Sequence, residues 1–164
     1  RRGVAVSEVV NLNDIITDYL RSPECEKLKQ THPDVTLEIN LEPELMATTG
    51  SPIHLSKTVM NLVSNALDAC QMSDVQRPFV VTLASRDRDG ALSYEVSDNG
   101  CGMSPDVQAR IFDPFFTTKR EGYGVGLGLS TVYGIVEHHK GTITVDSRIG
   151  VGSVFTIRLP SSGD

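Results

Sequence analysis

Ser51-Pro52-Ile53-His54-Leu55-Ser56-Lys57-Thr58-Val59-Met60-Asn61-Leu62-Val63-Ser64-Asn65-Ala66-Leu67-Asp68-Ala69-Cys70 reads as one long amphipathic helix. Ser51 suits the N-cap, and Pro52 suits the first helical position, where its missing N–H costs nothing. Leu55, Val59, Leu62, Val63, Ala66, Leu67 and Cys70 recur at helical spacing and form a stripe of core type. The other face carries Asn61 and Asn65, one turn apart, with Asp68 a turn further along. Asparagine is a poor helix former because its amide competes with the backbone for hydrogen bonds. Two at this spacing suit amide oxygens that ligate Mg²⁺ or orient a water, and they equally suit two solvated surface amides. Asp68 fits a contact to a metal-bound water or exposure to solvent.

Working outward, the flanking segments supply strands for this helix to cover. Val35 to Leu41 alternates apolar and polar residues, as a half-buried strand does. A short strand is expected from Leu45 to Thr48. Phe79 to Ser85 and Leu92 to Ser97 read as strands joined through the polar link Arg86 to Gly90. Thr142 to Ser147 and Ser153 to Leu159 read as a closing pair joined through Ile149-Gly150-Val151-Gly152. Val4 to Val10 is β-prone, Leu12 to Arg21 helical, and Pro23 to Pro33 a polar break. Ser104 caps a short helix from Pro105 to Ile111, and a last helix runs from Gly126 or Gly128 to His139. The expected fold class is α+β, a two-layer sandwich of a mixed, mainly antiparallel sheet with helices packed on one face.

Length and composition narrow the class. At 164 residues the chain suits a single domain, 1–164, with a core of its own. A 39% hydrophobic and 22% charged composition is that of a globular protein, and 5% aromatics without Trp predict an aliphatic core. The net charge of −6 argues against nucleic acid or an anionic membrane as partner. No apolar run is long enough to insert in a membrane. The chain starts Arg1-Arg2 rather than Met, so 1–10 is expected to be an entry segment from an upstream domain. Three cysteines, Cys25, Cys70 and Cys101, stand at no metal-ligand spacing, which fits packing roles in a reducing, cytoplasmic setting.

Three further segments carry chemistry. Asp98 ends a strand and precedes Asn99-Gly100-Cys101-Gly102; a carboxylate held there can accept from an exocyclic amine such as that of adenine. The glycines allow a sharp turn and close approach to a flat ring, although Asp-Asn-Gly also suits a plain β-turn. Gly122-Tyr123-Gly124-Val125-Gly126-Leu127-Gly128-Leu129 places alternating glycines before a helix, a suitable anion cradle. It has neither the Walker sequence nor the Rossmann spacing, and a flexible linker is its plainer reading. Between them, Lys119 with Thr117 and Thr118 stands where a mobile cation can reach a terminal phosphate. Phe112, Phe115 and Phe116 suit anchors of a movable flap.

In order and spacing, these four segments resemble the N, G1, F and G2 boxes of the sensor histidine kinase catalytic domain. That domain shares its ATPase group with DNA gyrase, heat-shock chaperones and mismatch-repair proteins. The pattern Phe112-x-Pro114-Phe115-Phe116-Thr117-Thr118-Lys119 is similar to the nitrogen-regulator type. The resemblance implies ATP and Mg²⁺ as cofactors, with Asn65 as the Mg²⁺ ligand. Asn61 would lie beside the phosphates, where hydrolysing relatives carry a Glu that activates water. Asp98 would read the adenine amine, with Gly100 and Gly102 shaping its pocket. Phe112 to Gly128 would form an ATP lid, with Thr117, Thr118 and Lys119 at the phosphates. The backbone from Gly124 through Val125, Gly126, Leu127, Gly128 and Leu129 would wrap them. Two departures from the family pattern are Asp68, where a Lys or Arg is frequent nearby, and Val154, where a Thr often precedes the strand Phe.

The implied reaction is transfer of the γ-phosphoryl of Mg-ATP to a histidine in a separate dimerisation domain, then onward to a response regulator. None of His32, His54, His138 and His139 stands in the His-Glu-Leu-x-x-Pro setting of a phosphoacceptor, so all four are expected to be structural. The fragment is expected to be a monomer and the full-length protein a homodimer, itself open to membrane tethering. The alternatives are an anti-sigma-type serine kinase of the same fold and a nucleotide-binding scaffold that transfers nothing.

Overall fold

The computed structural model describes residues 7–114, 116 and 127–162. The elements in chain order are β1 (Glu8–Val10), α1 (Leu12–Leu20), α2 (Pro23–Thr31), β2 (Val35–Asn40), β3 (Thr48–Gly50) and α3 (Pro52–Gln71). They continue with β4 (Phe79–Arg88), β5 (Ala91–Asp98), α4 (Pro105–Arg110), α5 (Leu127–His138), β6 (Thr142–Arg148) and β7 (Gly152–Pro160).

The main sheet has the order β2-β4-β5-β7-β6, and β1 pairs with β3 as a separate antiparallel ribbon. Only β2 and β4 run parallel; β4 with β5, β5 with β7 and β6 with β7 are antiparallel. The alternation in the sequence explains which face is covered. Leu92, Tyr94, Val96 and Asp98 of β5 are buried, while Ser93, Glu95 and Ser97 between them are half-exposed. Val81 and Leu83 of β4 and Phe155, Ile157 and Leu159 of β7 join the buried side. Leu55, Val59, Leu62, Val63, Ala66 and Leu67 of α3 meet them, with Leu12, Ile16 and Tyr19 of α1 and Val132 and Val136 of α5 alongside. The mixed sheet with helices on one face is the α+β arrangement that the periodicity predicts. None of the described helices is long and apolar enough to cross a membrane.

Three local expectations are corrected. The break expected from Pro23 to Pro33 is mostly the helix α2, begun by Ser22, whose hydroxyl accepts from the Cys25 N–H at 3.2 Å. Ser22-Pro23 carries the same start signal as Ser51-Pro52, but the helix is polar and buries only Cys25 fully, so no apolar stripe advertised it. The strand expected from Leu45 to Thr48 begins instead at Thr48, after Glu44 has taken a left-handed φ of 59°. The link Arg86 to Gly90 shrinks to a two-residue turn. Asp89 and Gly90 both have positive φ, a conformation whose twist matches the flanking strands, so β4 runs on to Arg88.

Candidate functional site

A cavity of about 550 Å³ opens between α3, the loop after β5, α4, the start of α5 and the β6–β7 turn. Asn61, Asn65 and Asp68 line it from one face of α3, at the i, i+4, i+7 positions that bring side chains into one row. Leu62, Val63, Ala66 and Leu67 of the same helix are buried in the core. The helix is thus rigid on one side and polar on the side that meets the cavity. The Asn61 amide nitrogen donates to the Gly128 carbonyl at 3.2 Å, which ties α3 to the first turn of α5. No hydrogen bond from another described residue engages the Asn65 amide.

Asp98 does not line the cavity itself; its register partner Ser153 and its neighbours Cys101 and Gly102 do. The residue as a whole is 8% exposed. Oδ1 accepts the Gly100 N–H at 2.8 Å, and Oδ2 is buried with no hydrogen-bond partner. Burial pushes the Asp98 carboxyl up to about 6, against the opposing pull of the Gly100 and Ser153 backbone N–H groups nearby. An orphaned carboxylate oxygen is costly, and a donor such as an amino group removes that cost.

The loop after Asp98 is fastened from several sides. The Asn99 side chain accepts from the Val80 N–H at 2.8 Å and donates to the Pro78 carbonyl at 2.9 Å. The Cys101 N–H donates to the Ala69 carbonyl at 3.0 Å, and the Cys101 carbonyl accepts from Gly150 at 2.8 Å. Gly100 packs so closely on α3 that a Cβ there would stand 2.5 Å from the Ala69 carbonyl carbon and oxygen. Gly102, at φ +69°, would put a Cβ 2.0 Å from the Arg148 carbonyl oxygen. These contacts, rather than a free turn, account for glycine at both positions.

Farther along, the Ser147 hydroxyl accepts from the Met103 N–H at 2.8 Å, and the Gln108 amide donates to the carbonyls of Met103 and Ser147. Phe112 stacks near Tyr133 at 5.5 Å and Phe155 at 6.4 Å between centroids, fixing the end of α4 to the core. The Phe116 ring lines the cavity beneath the Arg110 guanidinium, 4.8 Å away. Gly128 and Leu129 also line it. Thr117, Thr118, Lys119, Gly124, Val125 and Gly126 lie outside the described residues, and Leu127 is described only as the first residue of α5.

Sequence reasoning missed Ser153, Met103, Met72 and Ile149, which also line the cavity. Ser153 had one usable signal, its place just after the glycine-rich β6–β7 turn. Its position opposite Asp98 depends on strand register, which no local pattern states. Cys101 faces the cavity and Cys70 the core; burial raises both thiols, that of Cys70 to about 12, which favours the protonated form of each. His139 is structural: its Nε2 accepts from the Ser51 N–H at 3.0 Å while Nδ1 donates to the Ile135 carbonyl at 2.8 Å.

Residues 50–163 match the model of the histidine kinase-, DNA gyrase B- and HSP90-like ATPases. The chain is 36% identical over 155 residues to the sensor histidine kinase ZraS of Klebsiella oxytoca, covering 94% of this chain and 31% of that protein. It is 35% identical over 170 residues to the sensor kinase CckA of Brucella abortus, covering 98% of this chain and 18% of that protein. The chain therefore spans under a third of these relatives. Among solved structures, the catalytic domain of histidine kinase ThkA superposes with a TM-score of 0.79 at 25% identity, over 95% of this chain and 96% of that one.

Proposed function

The chain belongs to the histidine kinase-, DNA gyrase B- and HSP90-like ATPase family, and on that premise we propose that it is the ATP-binding catalytic domain of a two-component sensor histidine kinase. The reaction is transfer of the γ-phosphoryl of Mg-ATP to an imidazole nitrogen on a dimerisation domain. A response regulator receives the phosphoryl group next, and the full-length protein acts as a homodimer. The single observation that carries the nucleotide reading is the buried, partnerless Oδ2 of Asp98, whose neighbours Cys101 and Gly102 and register partner Ser153 line the cavity. It is the acceptor that the exocyclic amine of adenine requires, and Gly100 and Gly102 hold the backbone that flanks the base.

Asn65 is the residue to hold Mg²⁺ through its amide oxygen, with Asp68 one turn away. When bound, Mg²⁺ neutralises the charge of the phosphates and orients them. The chain contributes mainly position, the chief requirement of a loose phosphoryl-transfer transition state. α3 and α5 set the phosphate end of the site, joined by the Asn61 to Gly128 hydrogen bond. An amide at Asn61 is no general base, so nothing there activates water, and the phosphoryl group is kept for a protein acceptor. Thr117, Thr118 and Lys119 complete the phosphate contacts from a lid over 112–128, with the backbone of Gly124 to Leu129 around them.

The test supplies γ-labelled ATP, Mg²⁺ and the histidine-bearing helical domain of the same full-length protein to this chain. Acid-labile, base-stable label on the helical domain is the expected result. Label on serine would mean an anti-sigma-type kinase, and nucleotide binding without any transfer would mean a scaffold; either sinks the proposal.

A further inference from the structure

We infer that Ser147 is a positioning residue for the base end of the cavity, acting through the hydroxyl of Ser153; the inference rests on the Mg-ATP reading above. Asp98, Ser153 and Ser147 are register partners in turn across β5, β7 and β6. Directly opposed residues share a face, so the three stand in one row on the side that the helices cover. The next row is Val96, Phe155 and Val145, and the one after it is Tyr94, Ile157 and Ile143. An apolar face thus ends in a polar row at the cavity. Ser153 is buried and lines the cavity, whereas Ser147 does not line it.

The Ser147 hydroxyl accepts from the Met103 N–H at 2.8 Å, lies 2.7 Å from the Ser153 hydroxyl and reaches the Gly152 carbonyl at 3.1 Å. An amide N–H only donates and a carbonyl only accepts, so the one Ser147 hydrogen goes either to Gly152 or to Ser153. With that hydrogen on Gly152, Ser153 donates to Ser147 and turns only lone pairs to the cavity. With it on Ser153, the Ser153 hydrogen is released to the cavity, and only the longest of the three contacts is given up.

The base selects between the two arrangements. When an adenine amine donates to Asp98 Oδ2, the ring nitrogen beside that amine is bare and needs a donor. Ser153, opposite Asp98, supplies it in the second arrangement, directly or across one water. Ser147 permits the exchange, because it gives its hydrogen to Ser153 while Met103 occupies one of its own lone pairs. Its backbone serves the same wall. The Gln108 amide donates to the carbonyls of Ser147 and Met103, at 3.1 Å each, and Met103 lines the cavity. Ser147 therefore holds two parts of the wall without touching the ligand.

The experiment is calorimetric titration of Mg-ATP, and of an ATP analogue with C–H in place of that ring nitrogen, into the wild-type chain, Ser147→Ala, Ser147→Thr, Ser153→Ala and the double Ala variant. Ser147→Ala is expected to weaken ATP binding about fivefold, the worth of one neutral hydrogen bond, and to leave analogue binding unchanged. Ser153→Ala should do the same, and the double variant should lose no more than either single one. Ser147→Thr keeps the hydroxyl and should recover most of the loss. Thermal unfolding checks folding, and should Ser147→Ala not fold, Ser147→Cys, similar in size and poorer in hydrogen bonding, takes its place. Equal losses for ATP and the analogue mean a merely structural role, and additive losses mean that Ser147 does not act through Ser153; either overturns the inference. A wild-type chain that binds Mg-tripolyphosphate as tightly as Mg-ATP reads no base and overturns the adenine reading itself, which separates the two failures.

Discussion

At the scale of single residues, the proposed site turns on one buried oxygen without a hydrogen-bond partner, Oδ2 of Asp98. Its folded-state value of about 6 lies above the ordinary 3.8, so below 3.8 both folded and unfolded chains hold the proton. Between 3.8 and 6 the unfolded chain releases it first, and stability falls as pH rises, by about 3 kcal/mol in all. The difference in unfolding free energy between wild type and Asp98→Asn should fall across that window in urea titrations; a flat difference would contradict the burial argument. Nucleotide binding has the opposite sign, because the bound amine needs the carboxylate. Affinity should weaken below about pH 6 in the wild type and show no such step in Asp98→Asn. Gly100 offers a steric counterpart. Gly100→Ala places its methyl against the Ala69 backbone, which cannot swing aside, so it should cost about 1–3 kcal/mol and weaken ATP binding together. The roles proposed for Asp98 and the two glycines are suggested by the Asp-x-Gly-x-Gly spacing only in the company of the other boxes. The orphaned oxygen and the backbone contact that explain them are not, since both depend on what lies across the fold.

At the scale of elements, α3 joins fold to site, and its start is held twice. The Ser51 hydroxyl accepts from the His54 N–H at 3.2 Å, and the Ser51 N–H donates to His139 at the end of α5. Ser51→Ala should cost about 1 kcal/mol, as loss of a capping oxygen does. His139→Leu leaves a buried N–H without a partner and should cost more, about 1–3 kcal/mol. Chemical denaturation gives the order, and the reverse order would mean that His139 merely fills space. ATP affinity should change little in Ser51→Ala, since the cap lies at the end of α3 away from Asn61, Asn65 and Asp68. The cap was plain in Ser51-Pro52, whereas its partner His139, 88 residues later, was assigned a structural role without a contact to explain it. The α2 helix shows the complementary failure: Ser22-Pro23 spelled a start, but without an apolar stripe the segment read as a break.

At the scale of the whole molecule, one layer of helices on one sheet face leaves a cleft where α3, α4, α5 and the β6–β7 turn converge. A ligand there touches several elements at once, so binding should stabilise the domain as a unit. With Mg-ATP at a hundredfold its Kd, the unfolding free energy should rise by about 2.7 kcal/mol, seen as a higher Tm. Asp98→Ala should lose that rise, and retention of it would remove Asp98 from the site. The sequence by itself determined most element types, α2 excepted, with the α+β class and the family, because hydrophobic period, caps and box spacing are local properties of the chain. It also determined that Asn61, Asn65 and Asp68 share a helix face, which follows from 3.6 residues per turn. Only the tertiary structure decided the strand order β2-β4-β5-β7-β6, the placing of Ser153 opposite Asp98, and the meeting of Ser147 with Ser153. Those depend on register and packing between segments far apart in the chain, where many pairings satisfy the same local pattern and burial selects one.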